Sequence, residues 1–232
     1  MALRESAVPG RTLVPGAERA GAGRGRGALA ALIGGGTEGN SLLTAFTGAL
    51  LIVLLAALGV TIVQVRQLIA AHLFIGLLLL GPVALKLAST GYRFARYYAG
   101  SGVYRRKGPP ATPLRLLAPV VVLSTIVVFA SGVVLLAVGP QQIGSWKLIH
   151  KASFIVWLGA TGVHVLAHLP ETVSALRTRD GLRAQLTGRA DGAAGRRLAL
   201  AGACVAGLVL ALLLMGHFGV WTAPGAFPHH EH

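Results

Sequence analysis

Negative charge is nearly missing from this chain. Only seven of its 232 residues are acids: Glu5, Glu18, Glu38, Glu171, Asp180, Asp191 and Glu231. None of them falls inside a long apolar run. That disfavours proton-coupled carriers and cation channels, which rely on intramembrane carboxylates or on broken helices lined by carbonyls, although histidine alone could relay protons. It also leaves the histidines of those runs with no acid to orient them. No G-x-S-x-G elbow, H-E-x-x-H helix or Walker sequence occurs, so hydrolytic catalysis has no support. Cysteine is scarcer still. Cys204 stands alone, which excludes an intrachain disulfide and a c-type haem attachment motif, and it reads as a small packing residue.

Charge of either sign is low as well. Charged residues make up 12% of the chain against 54% hydrophobic, and the mean hydropathy is +0.69. A soluble domain carries about a quarter charged residues, so this composition belongs to an integral membrane protein. A bilayer crossing needs about 20 apolar helical residues. Five runs meet that length: Leu42 to Val65, Leu68 to Ser89, Leu114 to Val138, Leu148 to Leu169 and Leu198 to Val220. None alternates polar with apolar residues as a barrel strand would. The expected fold is an all-α membrane bundle of five transmembrane helices.

Around the bundle, residues 1–40 read as a disordered basic arm, 41–220 as the transmembrane unit and 221–232 as a His-rich tail. The connection from Ser101 to Pro113 contains Gly108, Pro109 and Pro110 and is expected to be irregular. The one from Glu171 to Arg197 has room for a short amphipathic piece on the membrane surface.

Positive charge is abundant, with 21 Lys and Arg and a formal charge of +14, but its placement points away from nucleic acid, since no binding module accompanies it. Five arginines lie in the arm. Arg93, Arg96, Arg105, Arg106, Lys107 and Arg115 follow the second run, and Arg177, Arg179, Arg183, Arg189, Arg196 and Arg197 follow the fourth. Arg66 alone separates the first two runs, and only Lys147 and Lys151 lie near the junction of the third and fourth. This alternation predicts an inner N-terminus and an outer C-terminus, with anionic lipid against the basic inner segments. Tyr92, Tyr97, Tyr98 and Tyr104, set among arginines, read as an interfacial belt. Lys86, in the inner half of the second run, reads as a residue snorkelling toward that belt.

Against this background the histidines stand out, because ionisable groups in a span are functional candidates. His72 opens the second run and His150 the fourth, which cross in the same direction, so the two lie at one depth near the outer face. Fourteen positions after His150 comes His164, about 21 Å deeper and within roughly 40° of the same helix face. A b-type haem is held between helices by one imidazole from each, with small residues giving it room. His72 and His150 satisfy this requirement. Gly76 and Gly159 are the expected sources of space, with Ser131 and Gly132 as further candidates, and Phe74, Phe154 and Trp157 are plausible ring contacts. Met215 and His217 near the outer end of the fifth run are alternative axial ligands. The tail histidines His229, His230 and His232 could pick up a divalent metal, though a floppy tail describes them as well.

The segments "LIAAHLFIGLLLL", "WKLIHKASFIVW" and "GVHVLAH" resemble the bacterial membrane b-type cytochromes: the cytochrome b561 type and the cytochrome b subunits of hydrogenase and formate dehydrogenase. The resemblance spans about residues 66–169. It implies one-electron transfer through haem b, with His72 and His150 as axial ligands of an outer haem and His164 or His168 as candidates for an inner one. A quinone or a redox partner protein would exchange electrons with it in a bacterial inner membrane. The chain departs from the family pattern at Lys86, which stands fourteen positions after His72 where a second histidine would be needed. His164 and His168, four apart on one helix, cannot approach one iron from opposite sides. One haem is therefore favoured, and a second would need Lys86 or another chain as ligand. Interhelical hydrogen bonding by the histidines, a membrane scaffold or assembly role without haem, and metal handling through the outer histidines are the alternatives.

Overall fold

The computed structural model describes residues 36–100, 112–177 and 192–226. Most of the basic arm, the connection at 101–111 and the tail histidines lie outside these residues. Among the described residues five helices are long and apolar enough to cross a membrane: α1 (Gly36–Val63), α2 (Ile69–Tyr98), α3 (Thr112–Val138), α4 (Gly144–Arg177) and α5 (Ala193–Leu214). A 3-10 turn, Met215–Phe218, and a last helical turn, α6 (Gly219–Thr222), extend α5. Helices are what these runs must form in hydrocarbon, since only intrahelical bonding satisfies their backbone groups without water.

Several of the expected boundaries move. α2 continues beyond Ser89 through the Tyr and Arg segment to Tyr98, and α4 continues through Pro170 to Arg177. Proline removes one helical hydrogen bond, yet Pro82, Pro119 and Pro170 all sit inside helices. α1 also reaches back to Gly36, inside the segment read as an irregular arm.

Short turns fix the topology. Between α1 and α2, the N–H groups of Gln67 and Leu68 both bond the Gln64 carbonyl. Between α3 and α4, Gly139 takes φ 75° and Gly144 φ 37°, backbone values that disfavour side chains, and the chain reverses through Pro140–Gln142. Each pair is thus an antiparallel hairpin, with both turns at one end of the bundle, here the turn end. At the other end, here the basic end, Arg115 at the start of α3 donates to the Tyr98 hydroxyl at the end of α2, 3.0 Å away.

α1 packs on α2 and α3 on α4 over their lengths, and the hairpins meet through narrower α1–α4 and α2–α3 contacts. The first four helices therefore form a ring in which α2 and α4 are diagonal and parallel. α5 lies outside this ring against α2. The backbones approach so closely there that a Cβ on Gly81 would meet the Ala203 carbonyl and one on Gly207 the Leu78 carbonyl, the small-residue contact expected where helices associate within lipid.

The packing is the reverse of a soluble core. Thr47, Thr61, Ser124, Thr125 and Ser131 are buried, whereas Val63, Leu116 and Leu213 are more than 70% exposed. The hydroxyls escape the cost of burial by donating to carbonyls of their own helices, as Thr47 does to Leu43 at 2.7 Å and Thr125 to Val121 at 2.6 Å. An apolar cluster of Ile69, Leu77, Leu136, Ala211, Phe218 and Trp221 ties α2, α3 and the end of α5 together at the turn end.

Candidate cofactor-binding site

His72 sits in the first turn of α2 and His150 in the second turn of α4, both half-buried. Because both hairpin turns lie at one end, the two histidines occupy the same level on diagonal helices of the ring.

Each imidazole is held by the first helix of its own hairpin. Thr61 Oγ1 lies 3.0 Å from His72 Nδ1 and donates its own hydrogen to the Leu58 carbonyl at 2.6 Å. The hydroxyl is thus an acceptor toward the ring, and His72 Nδ1 carries the hydrogen. His150 Nδ1 lies 3.0 Å from the Val128 carbonyl. A carbonyl cannot donate, so this nitrogen also bears hydrogen. Ser131 Oγ, 3.0 Å from the same Nδ1, donates to Val127 at 2.7 Å. In the neutral form each ring then keeps its lone pair on Nε2. Fixing Nδ1–H to an acceptor is how proteins set the tautomer and orientation of a metal-ligating histidine.

Space around the pair is uneven. A Cβ on Gly76, one turn past His72, would meet nothing within 4 Å, while one on Gly132 would come to 3.2 Å from His150 Cε1. Gly132 thus admits the imidazole itself. Gly159 does not serve the site: nine residues past His150 it is half a turn away and exposed. Phe74 packs against the apolar cluster at the turn end. Met215 and His217 are exposed, so neither is enclosed with the histidine pair.

Toward the basic end the bundle forms a partly open cavity of about 150 Å³, lined by residues of α1 to α4 that include Lys86, Thr125, Trp157, Thr161, His164 and His168. His164 and His168 lie against each other on one side of α4, their rings tilted by 57° with centroids 4.7 Å apart. His164 Nδ1 and Thr161 Oγ1 are buried without a hydrogen-bond partner. Lys86 Nζ donates to the Thr44 carbonyl at 2.8 Å, a fixed position inside the bundle that differs from the expected extension toward the tyrosine belt. Trp157 Nε1 donates to Thr125 Oγ1 at 3.0 Å, and its ring stacks on Phe154 with centroids 6.1 Å apart.

Among the described residues, no three His, Cys, Asp or Glu side chains gather into a group able to hold a metal ion by themselves. A pair of histidines suits an iron whose other four ligands come from a macrocycle. Sequence reading found both histidines but not Thr61 or the Val128 carbonyl. Thr61 had a signal, a hydroxyl eleven residues before His72 across a short turn. A backbone carbonyl leaves none. No protein-family model matches the chain, and no curated protein and no solved structure matches it.

Proposed function

We propose that this chain is a membrane b-type cytochrome that carries single electrons on one haem held between α2 and α4 at the turn end of the bundle. The observation that carries the reading is the paired anchoring of His72 and His150. Both rings are held at Nδ1 by the neighbouring helix, which in the neutral imidazole leaves the lone pair on Nε2. Buried histidines that merely bridge helices have no need to be matched in depth and tautomer on diagonal helices. The residues present fit the group: two axial imidazoles, open space beside Gly76, and an apolar bundle that lowers the local dielectric.

Haem would supply the one-electron chemistry. The chain's part is to hold the imidazoles, raise their basicity through the Nδ1–H bonds and exclude water. The chain has no flavin or nicotinamide motif, so electrons would come from and go to a quinone or a redox partner protein, as in a subunit of a larger complex. The alternation of basic and basic-poor connections supports an N-terminus and a basic end at the cytoplasmic face of a bacterial inner membrane, against anionic lipid. His164 lacks an Nδ1 partner and faces no histidine on α2, which favours one haem over two.

Protein expressed with ample haem and purified in mild detergent would show a b-type α band in reduced-minus-oxidised spectra, with about one haem per chain by pyridine haemochrome. His72→Ala and His150→Ala would each abolish the band. A protein that folds and never binds haem would overturn the reading.

A further inference from the structure

We infer that the cavity near the basic end is a binding site for the oxyanion head of a membrane amphiphile, a carboxylate or a phosphate, held by Lys86.

The ammonium of Lys86 has three donor hydrogens, and Thr44 is the acceptor that holds it. No acid lies in any of the five spans. The nearest in sequence, Glu38 and Glu171, stand six residues before Thr44 and seven after His164, roughly 9 and 10 Å along their helices. Among the described residues a cation on a wall of the cavity thus has no carboxylate at its own level, and buried charges are ordinarily paired. Arg93, two turns beyond Lys86 on the same face of α2, strengthens the positive field.

Two more polar atoms of the lining, on the diagonal helix α4, are unsatisfied. Thr161 Oγ1 and His164 Nδ1 are buried without partners, and both residues line the cavity with Lys86. A hydroxyl, an imidazole N–H and an ammonium together make a donor set for an oxygen-rich anion. Leu51, Leu55, Val83 and Val121 make the rest of the lining apolar. At about 150 Å³ the space takes a head group and the start of a chain. It is smaller than the ~300 Å³ or more of pockets that enclose whole ligands. The α1–α4 seam, one of the two narrow contacts between the hairpins, borders the cavity through exposed Ile52 and Leu169, so a hydrocarbon tail can lie in the surrounding lipid.

The inference is independent of the haem reading, whose spectrum reports on the other end of the bundle. The protein would be reconstituted in phosphatidylcholine vesicles with spin-labelled stearate, its methyl ester or spin-labelled phosphatidylglycerol, at a pH that ionises the acid. Electron paramagnetic resonance then reads the motionally restricted fraction. Stearate or phosphatidylglycerol is expected to show selective restriction over the ester, and whichever does so identifies the head group. Lys86→Met should lower that selectivity on the order of tenfold or more, as for loss of a charged hydrogen bond, while Lys86→Arg retains most of it. The haem band or, without haem, the helical circular dichroism would confirm that both variants fold. Equal restriction of acid and ester, selectivity unchanged in Lys86→Met, or displacement by a neutral short-chain quinone as effective as by stearate would overturn the inference.

Discussion

Thr61 Oγ1 and His72 Nδ1 lie 3.0 Å apart across the α1–α2 turn, and this contact makes an otherwise exposed-end histidine of α2 a fixed group. The Thr61 hydroxyl is committed to Leu58, so the ring has one way to bond it. The hairpin α3–α4 repeats the arrangement with the Val128 carbonyl and His150.

Replacing Thr61 by valine keeps the volume and deletes the acceptor. If His72 ligates haem as proposed, the haem affinity of Thr61→Val is expected to fall on the order of 10- to 100-fold, as for outer partners of metal-ligating histidines, with a shift in midpoint potential. Haem titration and redox potentiometry would check this, and an unchanged potential would show that the hydroxyl does not act through His72.

Ser131→Ala should be far milder than Thr61→Val. The Val128 carbonyl still accepts from His150 Nδ1, so the tautomer is retained, and the haem spectrum should stay close to wild type. Gly132→Val is the severe change at that level, because even a Cβ comes to 3.2 Å from His150 Cε1. Loss of the α band in Gly132→Val with retained helical circular dichroism is the expected result.

Met215→Leu and His217→Ala should leave the visible spectrum unaltered, since both side chains are exposed. A changed axial signature in either variant would bring the end of α5 into the coordination site.

The α2–α5 interface depends on glycine. Gly207→Val drives a side chain into the Leu78 carbonyl, and overpacking of this kind costs about 1–3 kcal/mol, occasionally more. Gly202→Ala, where a Cβ meets nothing within 4 Å, should be within about 0.5 kcal/mol of wild type. Thermal unfolding in detergent would separate the two.

The five spans were legible in the sequence because hydrocarbon imposes one solution on an apolar run of sufficient length, and the observed helices overlap each predicted run. Their ends were less legible. α4 passes through Pro170 and α2 through the Tyr and Arg segment, where the helix ladder and side-chain chemistry at the lipid boundary compete on nearly equal terms. His72 and His150 could be matched in depth from spacing alone, because rise per residue is constant in a helix. Their neighbours could not. That Gly159 faces away, that Phe74 belongs to the turn-end cluster and that Gly132 touches His150 all depend on how each helix is rotated about its axis, which contacts with other helices set.

The sequence by itself determined that the chain is a membrane-spanning helical protein, how many times it can cross, and that histidines recur at one level on two parallel helices. Apolar length, charge placement and helical rise are local quantities, readable one segment at a time. Only the tertiary structure decided that α2 and α4 are diagonal, that α1 and α3 supply the acceptors fixing the two imidazoles, and that Lys86 bonds the Thr44 carbonyl beside a cavity rather than reaching out to the tyrosine belt. Those outcomes follow from which helix faces meet, and residues more than forty positions apart, such as Lys86 and Thr44, acquire their relationship only when the helices pack.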